Sequence, residues 1–182
     1  MADLLTHVLA VYVVLTVASW RVDRIRPRWV AVGMCGGAIP DLVKIGIVVD
    51  TGAVERTLGV PFTWGALSTL GGVALVAGAI ALAFDARYRR RAVAFLVAGG
   101  VTSLALDGLR VFADGRAGPW LYPVTWWRPP TPSLYVTSDP RVLVAALLVG
   151  GIVFAVDRRR DRRKRPRERD DARSGNRAEG GR

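Results

Sequence analysis

Five long apolar blocks, separated by arginine-rich or turn-rich connections, dominate this chain. They are LLTHVLAVYVVLTVASW (4–20), WVAVGMCGGAIPDLVKIGIVV (29–49), GALSTLGGVALVAGAIALAF (65–84), AVAFLVAGGVTSLALDGLRVF (92–112) and VLVAALLVGGIVFAV (142–156). A helix needs roughly 20 residues, range about 17 to 25, to cross the hydrocarbon core of a bilayer. The middle three blocks meet that length. The first sits at its lower limit, and the last reaches it only with flanking residues. In lipid a spanning segment must satisfy its own backbone groups, which points to helices here. The expected fold is therefore all-α: a polytopic transmembrane helical bundle of about five spans over residues 1–156, in the cell membrane.

The charge map supports that class. Half of the chain is apolar, yet its net charge is +11. The last 26 residues, 157–182, hold twelve Lys/Arg against six Asp/Glu, and so carry +6 of that total. Such a segment cannot bury enough apolar surface to fold alone, so a disordered basic tail is expected there. Anionic lipid headgroups suit it as partners. Acids interspersed along it, among them Asp157, Asp161 and Glu168, weaken a nucleic-acid reading. Cys35 is the sole cysteine, which excludes an intrachain disulfide. No Lys or Arg precedes the first apolar block, unlike a secretory signal, and the block reads as a retained span.

Lys and Arg also set the orientation. Segments 21–28 and 85–91 carry four arginines each, whereas 50–64 has only Arg56. The long connection 113–141 has Arg116, Arg128 and Arg141. By the positive-inside rule the N-terminus lies outside and the C-terminus inside. The outer connection 113–141 is rich in proline and aromatics, including Trp120, Tyr122, Trp126, Trp127 and Tyr135. Its prolines exclude a regular helix. Two readings stay open for it: interfacial anchors at the headgroups, or a lid over a site. Gly33 and Gly37 have GxxxG spacing, which suits close helix packing within the chain and also permits a homo-oligomer.

With that orientation, four blocks place polar groups at one depth. His7 lies near the outer end of the first, and Asp41 with Lys44 in the outer half of the second. Ser68 starts the third, and Ser103, Asp107 and Arg110 occupy the outer half of the fourth. Asp41 and Lys44 are three apart, and Ser103 and Asp107 four apart, so each pair shares a helix face. Pro40 removes a backbone donor and can bend the second block just before Asp41. An unpaired charge at the bilayer centre costs about 2.5 to 3.5 kcal/mol on insertion scales, so these groups are expected to face inward and pair. The plainer reading is a set of structural ion pairs. The sharper one is a metal site with His7, Asp41 and Asp107 as ligands, since imidazole and carboxylate suit zinc or manganese. Lys44, Ser68 and Ser103 would then stand behind the ligands.

THVL (6–9), AIPDLVKI (38–45), LSTLGG (67–72) and SLALD (103–107), followed by PPTPSLYVTSD, resemble the ordered motifs of the prokaryotic membrane-bound metal-dependent hydrolases. This is the group named for a LexA-regulated inner-membrane protein. The resemblance covers roughly residues 1–140. It implies hydrolysis of a phosphoester-like or lipid-associated bond at a divalent metal centre. His7, Asp41 and Asp107 fall on the family's polar positions. Val43 stands where a second acid is expected, and Ser68 and Ser103 where histidines are expected. Serine is a poor zinc ligand. The resemblance therefore implies a degenerate member, with a weakened or lost outward-facing site. The alternative is a non-enzymatic membrane scaffold whose polar cluster is structural.

Overall fold

The computed structural model describes the backbone of residues 2–136 and 139–179, and the side chains of 4–136, 139–160 and 162. Helices account for all the named elements: α1 (Ala2–Ser19), α2 (Pro27–Gly37), α3 (Thr51–Leu58), α4 (Leu70–Ala81), α5 (Ala86–Asp107) and α6 (Pro140–Glu179). Two 3₁₀ segments, Pro40–Ile47 and Trp64–Ser68, precede α3 and α4. Among the described residues the only β pairing is two isolated bridges, Arg110 with Tyr135 and Arg116 with Pro130. The expected disorder of 157–182 falls largely on residues outside the described side chains.

Each apolar block contains helix, but two of the blocks are broken. The second block begins as α2, with Pro27 at its first turn, where a missing N–H costs nothing. It changes to 3₁₀ geometry at Pro40, which cannot donate to the carbonyl four residues back. Hydrogen bonds such as Leu42 N to Ile39 O (3.1 Å) and Val48 N to Ile45 O (2.9 Å) then run one residue shorter. The third block splits at Thr69, whose hydroxyl accepts from Gly72 N at 3.1 Å and caps α4. A short helix that the blocks do not announce, α3, lies between them. Asp50 caps its start by accepting from Ala53 N, and Gly59 ends it at φ 68°, a left-handed position that favours glycine.

Glycines set the closest packing. A Cβ at Gly99 of α5 would strike the Gly33 carbonyl of α2, and one at Gly36 would strike the Leu96 backbone. The GxxxG pair is thus used where α2 crosses α5 within the chain. Ile39, Val73, Ala77, Leu96 and Leu104 form a core between the first 3₁₀ segment, α4 and α5. Val11, Leu15 and Val30 join α1 to α2. Trp29, Ala81 and Ala92 close the end of the bundle near the arginines of 85–91.

Two segments, Pro27–Ile47 and Pro140–Arg160, are long and apolar enough to cross a membrane. α1 and α4 are apolar but shorter. α6 packs mainly on α1 and leaves Leu147, Leu148, Ile152 and Phe154 exposed. A ring of exposed large apolar side chains of this kind suits lipid better than water.

The connection after α5 docks on the start of α4 and the end of α5. Its Trp120 and Tyr122 carbonyls accept from Leu70 N (2.7 Å) and Gly71 N (2.8 Å), two donors that the first turn of α4 leaves unpaired. Tyr135 donates from its hydroxyl to Leu106 O at 2.8 Å, and Val111 N donates to Tyr135 O at 2.9 Å. Trp120 packs against the core, whereas Trp126 and Trp127 are exposed. The aromatics of this connection thus divide into some that pack on the bundle and some that are exposed. Within the loop, Asp114 accepts from Arg116 N and pairs with Arg128 at 2.6 Å. Those bonds hold its carboxyl below the ordinary value of 3.8, the backbone donor contributing most.

Candidate functional site

Three separate elements deliver the polar residues to one end of the bundle. His7 comes from the first half of α1 and is buried, 3% exposed. Asp41 is carried by the first turn of the 3₁₀ segment, directly after the break at Pro40. Asp107 is the last residue of α5. The break matters for this placement. A continuous α2 would advance Asp41 by about 1.5 Å per residue along the helix axis and rotate it about 100° per residue. The 3₁₀ segment instead sets its carboxylate against α1.

The imidazole of His7 stands between the two acids. Its Nδ1 is 3.8 Å from Asp41 Oδ2, and its Nε2 is 3.6 Å from Asp107 Oδ1. These separations are electrostatic contacts rather than hydrogen bonds. Each acid also meets a base, Asp41 through its other oxygen and Asp107 through the same one. Lys44 Nζ lies 2.7 Å from Asp41 Oδ1, and Arg110 Nη1 lies 3.5 Å from Asp107 Oδ1. The result is an alternating chain: Lys44, Asp41, His7, Asp107, Arg110. Burial falls from its centre to its ends. The side chain of His7 is 4% exposed, Asp41 12%, Asp107 24%, Arg110 29% and Lys44 44%. Two acids and two bases thus surround the imidazole.

Ser68 and Ser103 come to the same region but turn to another task. Ser103 is fully buried and donates to Gly37 O at 2.6 Å. Ser68 donates to Pro40 O at 3.0 Å. Both carbonyls belong to the junction where α2 gives way to 3₁₀ geometry. Helix ends leave such acceptors without an intrahelical donor. The two serines therefore stitch the break that positions Asp41. Sequence reasoning found these residues but not this role. The signal was available in Pro40, which guarantees an unmatched acceptor one turn earlier.

The donor set does not match a three-ligand metal centre. In this arrangement the two carboxylates address opposite nitrogens of one ring rather than a common point. Lys44 already engages one Asp41 oxygen and would repel a cation. Among the described residues no group of three or more His, Cys, Asp or Glu side chains is arranged to hold a metal ion. Among the buried polar atoms without a hydrogen-bond partner, His7 Nδ1 and Asp41 Oδ2 face each other. No protein-family model, curated protein or solved structure matches the chain.

Proposed function

We propose that this chain is a five-span integral membrane protein, N-terminus outside, built on a hydrolase-like scaffold whose outward-facing polar cluster has become structural. The observation that carries this reading is the alternating chain Lys44–Asp41–His7–Asp107–Arg110, in which each acid stands between bases. A hydrolytic zinc centre keeps about three protein ligands and an open position for water. Here the carboxylates are turned toward protein cations, and the serines at the two histidine positions bind backbone carbonyls. Positive-inside asymmetry and the two long apolar segments support the membrane placement. In this reading the cluster ties α1, the first 3₁₀ segment and the end of α5 together where lipid meets water.

A residual metal site is the second reading. One observation favours it: His7 Nδ1 and Asp41 Oδ2 are buried, unpartnered and 3.8 Å apart. An ion held by that pair would have two protein ligands, short of the usual set.

Metal analysis of the purified full chain separates the two. The structural reading expects zinc, manganese and iron well below one per chain, and the same content in His7→Ala. Stoichiometric metal that disappears in His7→Ala, with phosphoester hydrolysis lost alongside, overturns it.

A further inference from the structure

Away from His7, toward the end of α1 that carries Trp20, α1, α2 and α6 form an open cleft of about 590 Å³. Tyr12, Thr16, Val30 and Met34, with the exposed Ala31, line one part of it. Arg26, Asp23, Asp157 and Arg160 line its mouth. Two contacts shape that mouth. Trp20 donates its indole N–H to Asp157 at 2.9 Å, which ties the end of α1 to α6. The Arg160 guanidinium then stacks over the Trp20 ring at 4.8 Å. Arg26 is exposed at the start of α2, where its side chain makes no capping bond.

We propose that this cavity binds an anionic phospholipid of the inner leaflet. Its phosphate would sit between Arg26 and Arg160, and the start of an acyl chain would lie along Val30, Ala31 and Met34. The inference rests on the membrane placement proposed above, not on any role of the His7 cluster. Charge complementarity selects the occupant. Segments 21–28 and 157–160 bring seven arginines to this end against Asp23 and Asp157, a local excess of five positive charges. The Asp157 carboxylate is oriented toward the Trp20 indole N–H, and the arginines outnumber it at this end. Guanidinium groups form paired hydrogen bonds to phosphate oxygens. The apolar part of the lining, Val30, Ala31 and Met34, argues for a lipid over free phosphate, which has no group to place there. Positive-inside topology puts the mouth at the cytoplasmic headgroup layer, where anionic lipid is concentrated.

The test uses the full chain in lipid nanodiscs, with phosphatidylglycerol bearing a photoactivatable group near the start of one acyl chain. Labelling is expected at Val30, Ala31 or Met34, competed by unlabelled phosphatidylglycerol and not by phosphatidylcholine or inorganic phosphate. Arg26→Gln with Arg160→Gln is expected to weaken competition about thirtyfold, since each of the two basic residues near the headgroups contributes a factor of about five to six. Both positions are exposed, so this variant keeps the fold. Met34→Trp, which fills the cavity and retains both arginines, is expected to abolish the labelling. Labelling spread evenly over the exposed face of α6, or unaffected by either variant, overturns the lipid site. Competition by inorganic phosphate overturns it in favour of an anion site. Release of the chain by alkaline extraction overturns the membrane placement itself, whereas retention with diffuse labelling overturns the cavity proposal alone.

Discussion

His7 in the first half of α1 and Asp107 at the end of α5 meet at 3.6 Å, although nearly the whole bundle separates them in sequence. Asp41 approaches the other ring nitrogen at 3.8 Å. Removing the ring would leave the two carboxylates facing one another across a cavity. His7→Ala is therefore expected to lower stability by about 2 to 4 kcal/mol, combining lost packing with like-charge exposure. The midpoint of denaturant unfolding in detergent measures this. An equal loss with and without a chelator supports a structural cluster; a loss that chelation reproduces in the parent chain counts against it.

The bridge between Asp41 and Lys44 gives a different contrast. Lys44 is nearly half exposed, so water screens its attraction to Asp41. Lys44→Leu alone leaves Asp41 without its near base and is expected to cost about 1 kcal/mol. Asp41→Leu with Lys44→Leu removes both charges and is expected to fall within about 1 kcal/mol of the parent, because apolar packing replaces buried pairs at little net loss. A double variant far less stable than either single variant would show that the acid serves more than its pair. Unfolding midpoints of all four chains complete the cycle.

The serines at the helix break predict a ranked pair. Ser103 is fully buried, and its loss orphans the Gly37 carbonyl. Ser103→Ala is expected to destabilise by about 1 to 3 kcal/mol. Ser68 is partly exposed, so water can replace its bond to Pro40 O, and Ser68→Ala is expected to cost less. Hydrogen exchange at the 3₁₀ segment 40–47 should rise in the first variant and change little in the second.

Parts of this arrangement were legible in the sequence for a simple reason. Because a charge in an apolar block is costly in lipid, the sequence leads to the expectation that His7, Asp41 and Asp107 gather, and the structure brings them together. Helices from all five blocks follow from the same length and hydropathy. What the sequence concealed was rotation. α1 and α4 are apolar nearly all round, and such helices carry no stripe to reveal which face packs where. The division of labour between Ser103 and the acids was hidden for that reason. So was the docking of Trp120 and Tyr122 carbonyls on α4, which uses backbone atoms that every residue has. α3 was readable in principle from Asp50 and Gly59, but it lies in a connection that hydropathy passes over.

The loop that caps the bundle should respond to acid through Asp114. Its folded carboxyl titrates below the ordinary 3.8, because Arg116 N donates to it and Arg128 pairs with it. A group depressed on folding contributes stability that is fully present above its unfolded value and fades as pH falls through the folded one. Protection of 113–136 against proteolysis is thus expected to be constant near neutrality and to weaken only below about pH 4. Asp114→Asn should show the weakened state at every pH. Unchanged protection in that variant would remove Asp114 from the account of how the loop is held.

Glycine substitution tests the packing that brings α2 and α5 together, and with it the frame of the whole site. A Cβ at Gly99 would run into the Gly33 carbonyl, a backbone atom that cannot swing aside. Gly99→Ala is expected to cost about 1 to 3 kcal/mol, or more if the two helices must part. At Gly78, in the middle of α4, nothing lies within 4 Å of an added Cβ. Gly78→Ala is expected to be neutral or to stabilise by up to about 1 kcal/mol, because alanine loses less backbone freedom in a helix. Unfolding midpoints for the two variants should therefore move in opposite directions. If both were neutral, the α2–α5 crossing would have to be looser than the Gly33 and Gly99 contact requires, and the convergence of Asp41 and Asp107 on His7 would lose its structural support.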